Sequence, residues 1–453
     1  MKSFFSVAVK GFFLAVVLVL FSSASVLAAG FALIEQGVGG LGNAYAGGAA
    51  SAEDATTVFF NPAGMTRIPG QEVIVGAHII MPSAKFNNEG STHVLQAKTG
   101  VPLTGGNGGD GGVTKVLPNF YYTKKLGDRF AVGIGVNSPF GLATDYESSW
   151  VGRYHALESD VVTVNINPSV AYRINDHLSI GAGLNIQYIN ATLSNAIDFG
   201  TLDAIGAFRP AIPAGALKLV PQMSDGLARV EGDHWGLGYD LGLLYEFNKA
   251  TRIGIAYRSS VTHSLKGDAT FTNVPAPLTT AFRNTGVTAD IKLPDSFSVS
   301  ASHDFNPQWT VMADVTWTNW SVFNELRVKF DSGQPDAVTT VNWRDSYRYS
   351  LGLTYRPDNR WTCRTGVAYD ETPIPDEQHR TPRIPDGNRL WTAVGAGYKF
   401  SRLISMDLGY AHLFVSDPKI SKTPAGEDLT RGGLNGTYDA RVDILSAQLT
   451  FTF

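Results

Sequence analysis

The chain contains 453 residues, of which 17% are charged and 11% aromatic, and its formal net charge is −4. So small a net charge gives no broad basic surface and argues against a nucleic-acid-binding protein. Cys363 is the single cysteine, which excludes an intrachain disulfide scaffold and a zinc site built from several cysteines.

The first 28 residues have the pattern of a secretory signal peptide. Lys2 and Lys10 precede an uncharged apolar run at 11–21, and small residues follow up to Ala28. The apolar run is shorter than the roughly 20 residues that a membrane-spanning helix needs. We therefore predict a signal peptide at 1–28 with cleavage after Ala28, and an uncleaved N-terminal anchor is the alternative.

Residues 29–70 are rich in Gly and Ala and show no strand alternation, yet they carry apolar side chains that need burial, including Phe31, Phe59 and Phe60. Asn61 and Pro62 have the chemistry of a turn. A segment of this kind must pack inside a larger structure. We predict that it forms an N-terminal hatch in the lumen of the barrel described next, since a wide barrel is not filled by its own side chains.

Residues 71–453 alternate between apolar and polar side chains along many short segments. From 161 to 174, even positions are mostly apolar and odd positions mostly polar, and 178–188 repeats the pattern after a tight turn. About fourteen such segments occur, each about as long as a tilted strand that crosses a bilayer. Tight turns alternate with long connections. We predict an all-β fold, an antiparallel transmembrane β-barrel of about 14 strands.

The polar faces of these segments favour a membrane barrel over a soluble sandwich or propeller. They contain Gly, Ser, Thr and Asn rather than Lys and Glu, and aromatic residues such as Trp235, Trp309 and Trp361 stand near strand ends. No blade repeat is visible, as a soluble array of this size would require. The last strand ends on Phe453, which is typical of substrates of the bacterial barrel-assembly machinery. The predicted location is the Gram-negative outer membrane.

Several motifs occur in a fixed order along the mature chain. They are Ala29-Gly30-Phe31, the glycine-rich stretch that ends at Asn43-Ala44-Tyr45, Asn61-Pro62-Ala63, the stretch at 137–144, Leu293-Pro294-Asp295, Asp345-Ser346-Tyr347-Arg348 and Ile384-Pro385-Asp386. This order resembles the FadL family of outer-membrane transporters for long-chain fatty acids and aromatic hydrocarbons. The resemblance implies a fourteen-strand barrel plugged by an N-terminal hatch.

The resemblance also implies ligand-binding residues. It places Phe31 in a high-affinity pocket and gives Arg344 the position of a basic residue that holds the ligand head group. Strand parity places Arg344 and Arg348 on the inward face, and Phe59 and Phe60 complete the predicted pocket. The alternatives are hatch packing for Phe31, and arginines that pair with hatch acids such as Glu53 or Asp54.

The third predicted strand ends in a segment that does not suit a continuous ladder: Asn137, Ser138, Pro139, Phe140 and Gly141. Pro139 lacks a donor and restricts Ser138 before it, and Gly141 adds freedom to bend. In the family, a kink in this strand opens the wall sideways. We therefore predict a lateral exit here, and an ordinary strand end is the alternative.

The connection at 191–233 is unusually apolar for a loop that faces water. We predict that five of its residues form a hydrophobic landing groove at the outer tip, as the family implies, and loop self-packing is the alternative. The five residues are Ile205, Phe208, Ile212, Leu217 and Leu219.

The sequence thus predicts passive uptake of long-chain fatty acids, with binding in the lumen and lateral exit through a kinked strand. Uptake of neutral aromatic hydrocarbons and a general porin remain alternatives, and a barrel enzyme is a further one although no hydrolase or metalloprotease motif is present. No cofactor or metal is expected. The expected partners are a long-chain fatty acid or another hydrophobic small molecule, outer-membrane lipid and, during biogenesis, the barrel-assembly machinery.

Overall fold

The computed structural model describes residues 30–209 and 212–453. The predicted signal peptide at 1–28 lies outside the described residues. Among those described, no helix combines the length and the apolar character that crossing a membrane requires.

One antiparallel sheet contains all the strand segments of the described residues. They are β1 (Gln71–Asn88), β2 (Lys115–Leu126), β3 (Phe130–Asn137), β4 (Gly141–Asp145), β5 (Glu158–Arg173), β6 (Leu178–Asp198), β7 (Asp225–Glu246), β8 (Thr251–Arg258), β9 (Val261–Thr272), β10 (Thr285–Leu293), β11 (Ser296–Asp304), β12 (Trp309–Thr318), β13 (Glu325–Phe330), β14 (Ala337–Thr340), β15 (Ser346–Tyr355), β16 (Trp361–Asp370), β17 (Arg389–Lys399), β18 (Ile404–Val415), β19 (Lys419–Ser421) and β20 (Asn435–Thr452).

The twenty segments form fourteen barrel strands, because in six cases two consecutive segments are parts of one strand that is interrupted by a break. The pairs are β3 and β4, β8 and β9, β10 and β11, β12 and β13, β14 and β15, and β18 and β19. The sheet closes where β1 pairs with β20, from Glu72 opposite Thr452 to Asn88 opposite Gly436. Closure pairs the first strand with the last, so the sheet has no terminal edge strand. The predicted fold class, an all-β barrel of 14 antiparallel strands, is confirmed.

The barrel is polar inside and apolar outside across its central zone. On β5, Thr163 and Asn165 are fully buried, whereas Val162 and Val170 are 43% and 47% exposed. The amides of Asn167 and Asn185 donate to the Asp240 carboxylate, at 2.8 and 3.0 Å, which satisfies polar groups inside the wall. A soluble sandwich would place these faces the other way round. The outward apolar face suits contact with lipid.

Several strands are longer than the alternation predicts. β6 and β7 pair continuously from Leu178 opposite Tyr245 to Asp198 opposite Asp225, so much of the predicted 191–233 connection is strand. The strand that contains Ile291 and His303 is interrupted at 294–295, between β10 and β11. The predicted strands were too short because alternation marks only the part of a strand that faces lipid. The extensions lie beyond that part, at the end of the barrel that has the long connections.

The helices are short. The α-helices are Val38–Gly42, Gly48–Ser51, Thr57–Phe60, Gln96–Thr99 and Phe199–Ile205, and the 3₁₀ helices are Pro62–Arg67, Ala276–Leu278, Trp320–Val322 and Gly426–Asp428. Three of the α-helices and one 3₁₀ helix belong to residues 30–70, which we call the N-terminal segment.

The N-terminal segment is hydrogen-bonded to strands on every side of the barrel. The bonds include Val38 N–H to Gln448 Oε1 (3.1 Å), Asn43 Nδ2 to Leu353 O (3.0 Å), Ala49 N–H to Ser300 Oγ (3.0 Å) and Asn61 Nδ2 to Leu243 O (3.0 Å). Partners on β20, β15, β11 and β7 surround the segment, which therefore occupies the lumen.

Inward glycines let the N-terminal segment approach the wall. A Cβ on Gly254 would lie 1.8 Å from the Ala49 carbonyl oxygen, and one on Gly366 would lie 2.2 Å from the Asn43 carbonyl carbon. Only a residue without a side chain fits at either position.

Candidate ligand-binding cavities and lateral opening

The wall is broken between β3 and β4. Asn137 is opposite Asn165 on β5 and Gly141 is opposite Val162, so three residues of the break face only two residues of β5. An extra residue of this kind makes a bulge that bends the strand. On the other side, β2 pairs with β3 only from Phe120 onward. The section of β2 from 115 to 119 therefore has no ladder partner on the β4 side, and a gap results.

The N-terminal segment supplies hydrogen bonds that the broken strand lacks. Leu33 N–H donates to the Pro139 carbonyl at 2.9 Å, and Gly141 N–H donates to the Phe31 carbonyl at 3.0 Å. The Gln36 amide donates to the Ser138 carbonyl at 2.7 Å. The first described residues thus pair with the break like a short extra strand.

Thr163 of β5 fixes the break from the other side. Its hydroxyl accepts from Phe140 N–H at 3.0 Å and donates to the Phe140 carbonyl at 2.7 Å. The Ser138 hydroxyl donates to the Thr163 carbonyl. Hydrogen bonds on both sides thus fix the backbone of Asn137, Ser138, Pro139, Phe140 and Gly141, and the lateral exit through them stays a prediction.

A cavity that we call the lateral cavity passes through this opening. Its inner lining includes Phe31 and Leu33 of the N-terminal segment. Its outer lining includes Val116, Val162 and Val164, three residues exposed on the outer face of the barrel. One continuous space thus joins the lumen to the surface that faces lipid.

Phe31 closes the inner end of the lateral cavity. Its side chain is 5% exposed, and its ring packs against four aromatic side chains. These are Phe140, Trp320, Phe323 and Trp343, with ring centroids 6.0, 4.8, 5.8 and 5.8 Å away. Trp343 is buried although outward parity on β15 would expose it, because the residues before Ser346 are not part of that strand.

A second space, the outer cavity, lies above Phe31 and has an apolar lining. The inward face of β6 explains it, because Asn185 and Gln187 on that face are followed by Ile189, Ala191 and Leu193. Along the extension of β6, the same face of the strand still points inward, but its side chains change from polar to apolar. The remaining lining is Phe31, Leu142, Val161, Val230, Glu231, Gly232, Leu265, Lys266, Gly267, Val287, Ala289, Ile291, Phe323, Leu326, Val328, Arg383 and Ile384.

A third space, the central cavity, brings together three of the predicted ligand-binding residues: Phe59, Phe60 and Arg348. Arg348 is 5% exposed, and its Nη2 donates to the Ala44 carbonyl at 2.8 Å. Its Nε and Nη1 have no partner among the described residues. Its guanidinium lies 5.1 Å from the Trp391 ring centroid. Arg348 is thus an inward cation with free donors.

Arg344 lies just before β15, and its Nε and Nη2 are buried without a partner among the described residues, so its head-group role stays a prediction. It precedes the first residue of β15, Ser346, and its backbone N–H donates to the Pro373 carbonyl at 2.9 Å. It lines none of the three cavities described here. Parity does not extend to Arg344 because the strand begins after it. Nor does Glu53 pair with Arg344 or Arg348, since it contacts Arg356 and Arg364 at 2.7 and 3.3 Å.

Asn61 and Pro62 form the start of a 3₁₀ helix. The Asn61 side-chain oxygen accepts from Ala63 N–H at 3.0 Å, and its amide donates to the Ala49 and Leu243 carbonyls at 2.6 and 3.0 Å. One side chain thus caps the 3₁₀ helix and ties it to Ala49 and to β7.

The five predicted groove residues, Ile205, Phe208, Ile212, Leu217 and Leu219, are only partly buried and line none of the three cavities. Phe208 packs edge-on against Phe282, with ring centroids 6.3 Å apart. The landing groove stays a prediction.

Sequence reasoning missed Glu35, which lines both the central and the lateral cavity. Burial raises the pKa of its carboxyl to about 7, against the opposing charges of Arg389 and Arg348. The position stands next to apolar residues in an unpatterned segment, so the sequence contains no signal that distinguishes it.

Comparison with known proteins identifies the family. Residues 19–453 match the model described as outer membrane protein transport protein (OMPP1/FadL/TodX). The chain belongs to the FadL family. The long-chain fatty acid transport protein of Escherichia coli K12 is 33% identical over 417 residues, which cover 87% of this chain and 90% of that protein. This FadL-family chain is accordingly an outer-membrane transporter for hydrophobic compounds.

Two solved structures support the fold. The crystal structure of a Pseudomonas aeruginosa FadL homologue has a TM-score of 0.86 at 26% identity and covers 94% of this chain and 100% of its own. That of the Pseudomonas putida toluene transporter TodX has a TM-score of 0.69 at 17% identity, with coverage of 95% and 99%. The second likeness concerns the fold alone.

Proposed function

We propose that the protein takes up long-chain fatty acids passively, by binding them in the lumen and releasing them sideways into the outer membrane. The observation that carries the proposal is the lateral cavity, whose lining combines Phe31 of the lumen with the lipid-facing Val116 and Val162. A cavity that reaches the lipid face gives an apolar ligand a path that avoids the periplasm.

The three cavities suggest a sequence of steps. The outer and lateral cavities share Phe31, Leu142, Val161 and Ile384. A ligand in the outer cavity is therefore separated from the lateral exit chiefly by the Phe31 side chain and its aromatic partners. The N-terminal segment acts in this proposal as the hatch that blocks the direct path, and movement of its first residues opens the lateral one.

The free energy for uptake comes from the ligand. Moving an alkyl chain from water into the bilayer gains about 0.8 kcal/mol for each methylene. No nucleotide or ion gradient is needed in this scheme, since the broken wall provides only a path.

Fatty acids are favoured over neutral hydrocarbons because the central cavity holds a cation with free donors, Arg348. A carboxylate needs such a partner when it leaves water. The relatives that are 33% identical are named long-chain fatty acid transport proteins. The observation that supports the alternative, uptake of neutral aromatic hydrocarbons, is the apolar lining of the outer cavity.

Growth tests this proposal. A Gram-negative strain that lacks its own long-chain fatty acid transporter should grow on oleate as sole carbon source when it expresses this chain, and the empty vector should not support growth. Correct insertion is checked by heat-modifiable migration in gels. Equal failure of both strains on oleate, with accelerated entry of toluene into the expressing cells, would contradict the fatty-acid proposal and favour the hydrocarbon channel.

A further inference from the structure

The guanidinium of Arg383 is held by neutral oxygens and not by a carboxylate. It lies in the connection between β16 and β17 and lines the outer cavity. Its Nη1 donates to the Glu158 carbonyl, the Ser159 hydroxyl and the Ser194 carbonyl, at 3.2, 3.0 and 3.2 Å. Three neutral oxygens therefore fix the orientation of the guanidinium without neutralising it.

No carboxylate among residues 30–209 and 212–453 pairs with Arg383. Two arginines in the lumen do have acid partners: Arg389 with Asp386 at 2.7 Å, and Arg364 with Asp407 at 2.6 Å. Glu231 also lines the outer cavity, but its carboxylate is bound to Arg229 at 2.5 Å. Arg383 is thus a partly buried cation that lacks a counter-ion in the protein.

The surroundings of Arg383 make that charge costly. Burial and, to a smaller extent, the positive charge of Arg431 together lower the pKa of Arg383 to about 9. A cation in an apolar enclosure is stabilised only when an anion or several dipoles face it. All three of these hydrogen bonds use Nη1, so none of the three oxygens contacts the edge of the guanidinium formed by Nε and Nη2.

We propose that Arg383 binds the carboxylate of an amphipathic ligand in the outer cavity, with the alkyl chain directed along the apolar lining toward Phe31. The edge formed by Nε and Nη2, which none of those three bonds uses, matches the two oxygens of a carboxylate, which Arg binds as a parallel pair of hydrogen bonds. This inference rests on the proposed function and names the first head-group site of that path.

The site is distinct from the predicted one. Arg348 lines the central cavity and Arg344 lines none of the three, whereas Arg383 lines the outer cavity alone. A ligand that moves inward would therefore leave Arg383 before its head group reaches Arg348. The ligand class is a single carboxylate on a long apolar chain, since the lining beyond Arg383 contains mainly aliphatic side chains.

Binding to the purified full-length protein in detergent tests the inference. Oleate and oleyl alcohol are titrated into the wild type, Arg383→Gln, Arg383→Lys and a control, Arg327→Gln. Arg327 lies on β13, lines none of the three cavities and pairs with Glu325 and Asp336. We expect Arg383→Gln to weaken oleate binding about tenfold or more, with oleyl alcohol unaffected, partial recovery in Arg383→Lys and no change in the control.

Unchanged oleate affinity in Arg383→Gln would overturn the inference and leave fatty-acid uptake standing. Absence of oleate binding to the wild type would overturn both. Should Arg383→Gln fail to fold, a crystal structure of the wild type with oleate decides: we expect the carboxylate within hydrogen-bond distance of Arg383 Nε and Nη2. A carboxylate at Arg348 with an alkyl chain in the outer cavity would overturn the inference.

Discussion

The amide of Gly141 donates a hydrogen bond to the carbonyl of Phe31 at 3.0 Å. A residue at the beginning of the described chain thus holds the first residue of β4, where the wall resumes after its break. Because Phe31 also separates the outer cavity from the lateral cavity, the same residue contacts the ligand path and the exit. Movement of Phe31 would therefore affect both together.

Phe31→Ala tests that connection. Removing a buried phenyl ring from an aromatic cluster costs about 3–5 kcal/mol locally, so the N-terminal residues should detach from the break. We expect faster hydrogen exchange at the amides of Leu33 and Gly141, measured by mass spectrometry of the detergent-solubilised protein. Phe400→Ala, which removes an exposed ring far from the break, is the control and should leave both amides unchanged. If both amides exchange in Phe31→Ala as slowly as in the wild type, the Phe31 side chain does not hold the N-terminal residues at the break.

Thr163→Val tests what fixes the break from β5. The substitution keeps the shape of the side chain but removes an acceptor and a donor for the Phe140 backbone, which leaves buried polar groups unpaired at a cost of about 1–3 kcal/mol. The urea midpoint should fall, and the Phe140 amide should exchange faster. A variant that matches the wild type in both measurements would show that Thr163 does not hold the opening.

Gly254→Ala tests the seating of the N-terminal segment in the lumen. The added methyl group would collide with the Ala49 carbonyl oxygen, whereas Gly106→Ala adds a methyl group with no heavy atom within 4 Å. In planar bilayers we expect larger single-channel conductance for Gly254→Ala, since the displaced segment no longer fills the lumen. Gly106→Ala should conduct like the wild type. Indistinguishable conductance of the two variants would argue against a hatch.

The Glu35 carboxyl predicts a pH dependence. Its pKa in the folded protein is about 7, above its ordinary value of 4.5. The folded state therefore binds more protons than the unfolded state between these two values, and stability falls as the pH rises through this window. We expect the urea midpoint of the wild type, relative to that of Glu35→Gln, to decrease from pH 5 to pH 8. A constant difference between the two proteins would contradict a buried, proton-binding Glu35.

Strand alternation was sufficient to predict the barrel and its orientation. Val162 and Thr163 are neighbours in sequence, one facing outward and the other buried, because lipid and lumen impose opposite chemistries on the two faces. The alternation did not predict where strands end: the parity argument for Arg344 assumed a strand that begins only after it, at Ser346.

Sequence reasoning could not find Arg383, because its environment is built from distant segments. Glu158 and Ser194 are more than 180 residues away in the chain and supply the carbonyl groups that orient it. An unpaired arginine in a loop looks like a solvated one until the fold places it against an apolar cavity.

Lateral exit is the central claim, and two substitutions on one strand test it most directly. Val162 and Val170 are both on the outer face of β5 and similarly exposed, but only Val162 lines the lateral cavity. In cells that express equal amounts of folded protein, Val162→Trp should reduce radiolabelled oleate uptake several-fold and Val170→Trp should not. Oleate binding to the purified proteins should be the same for both. Wild-type uptake by Val162→Trp would contradict exit through the wall.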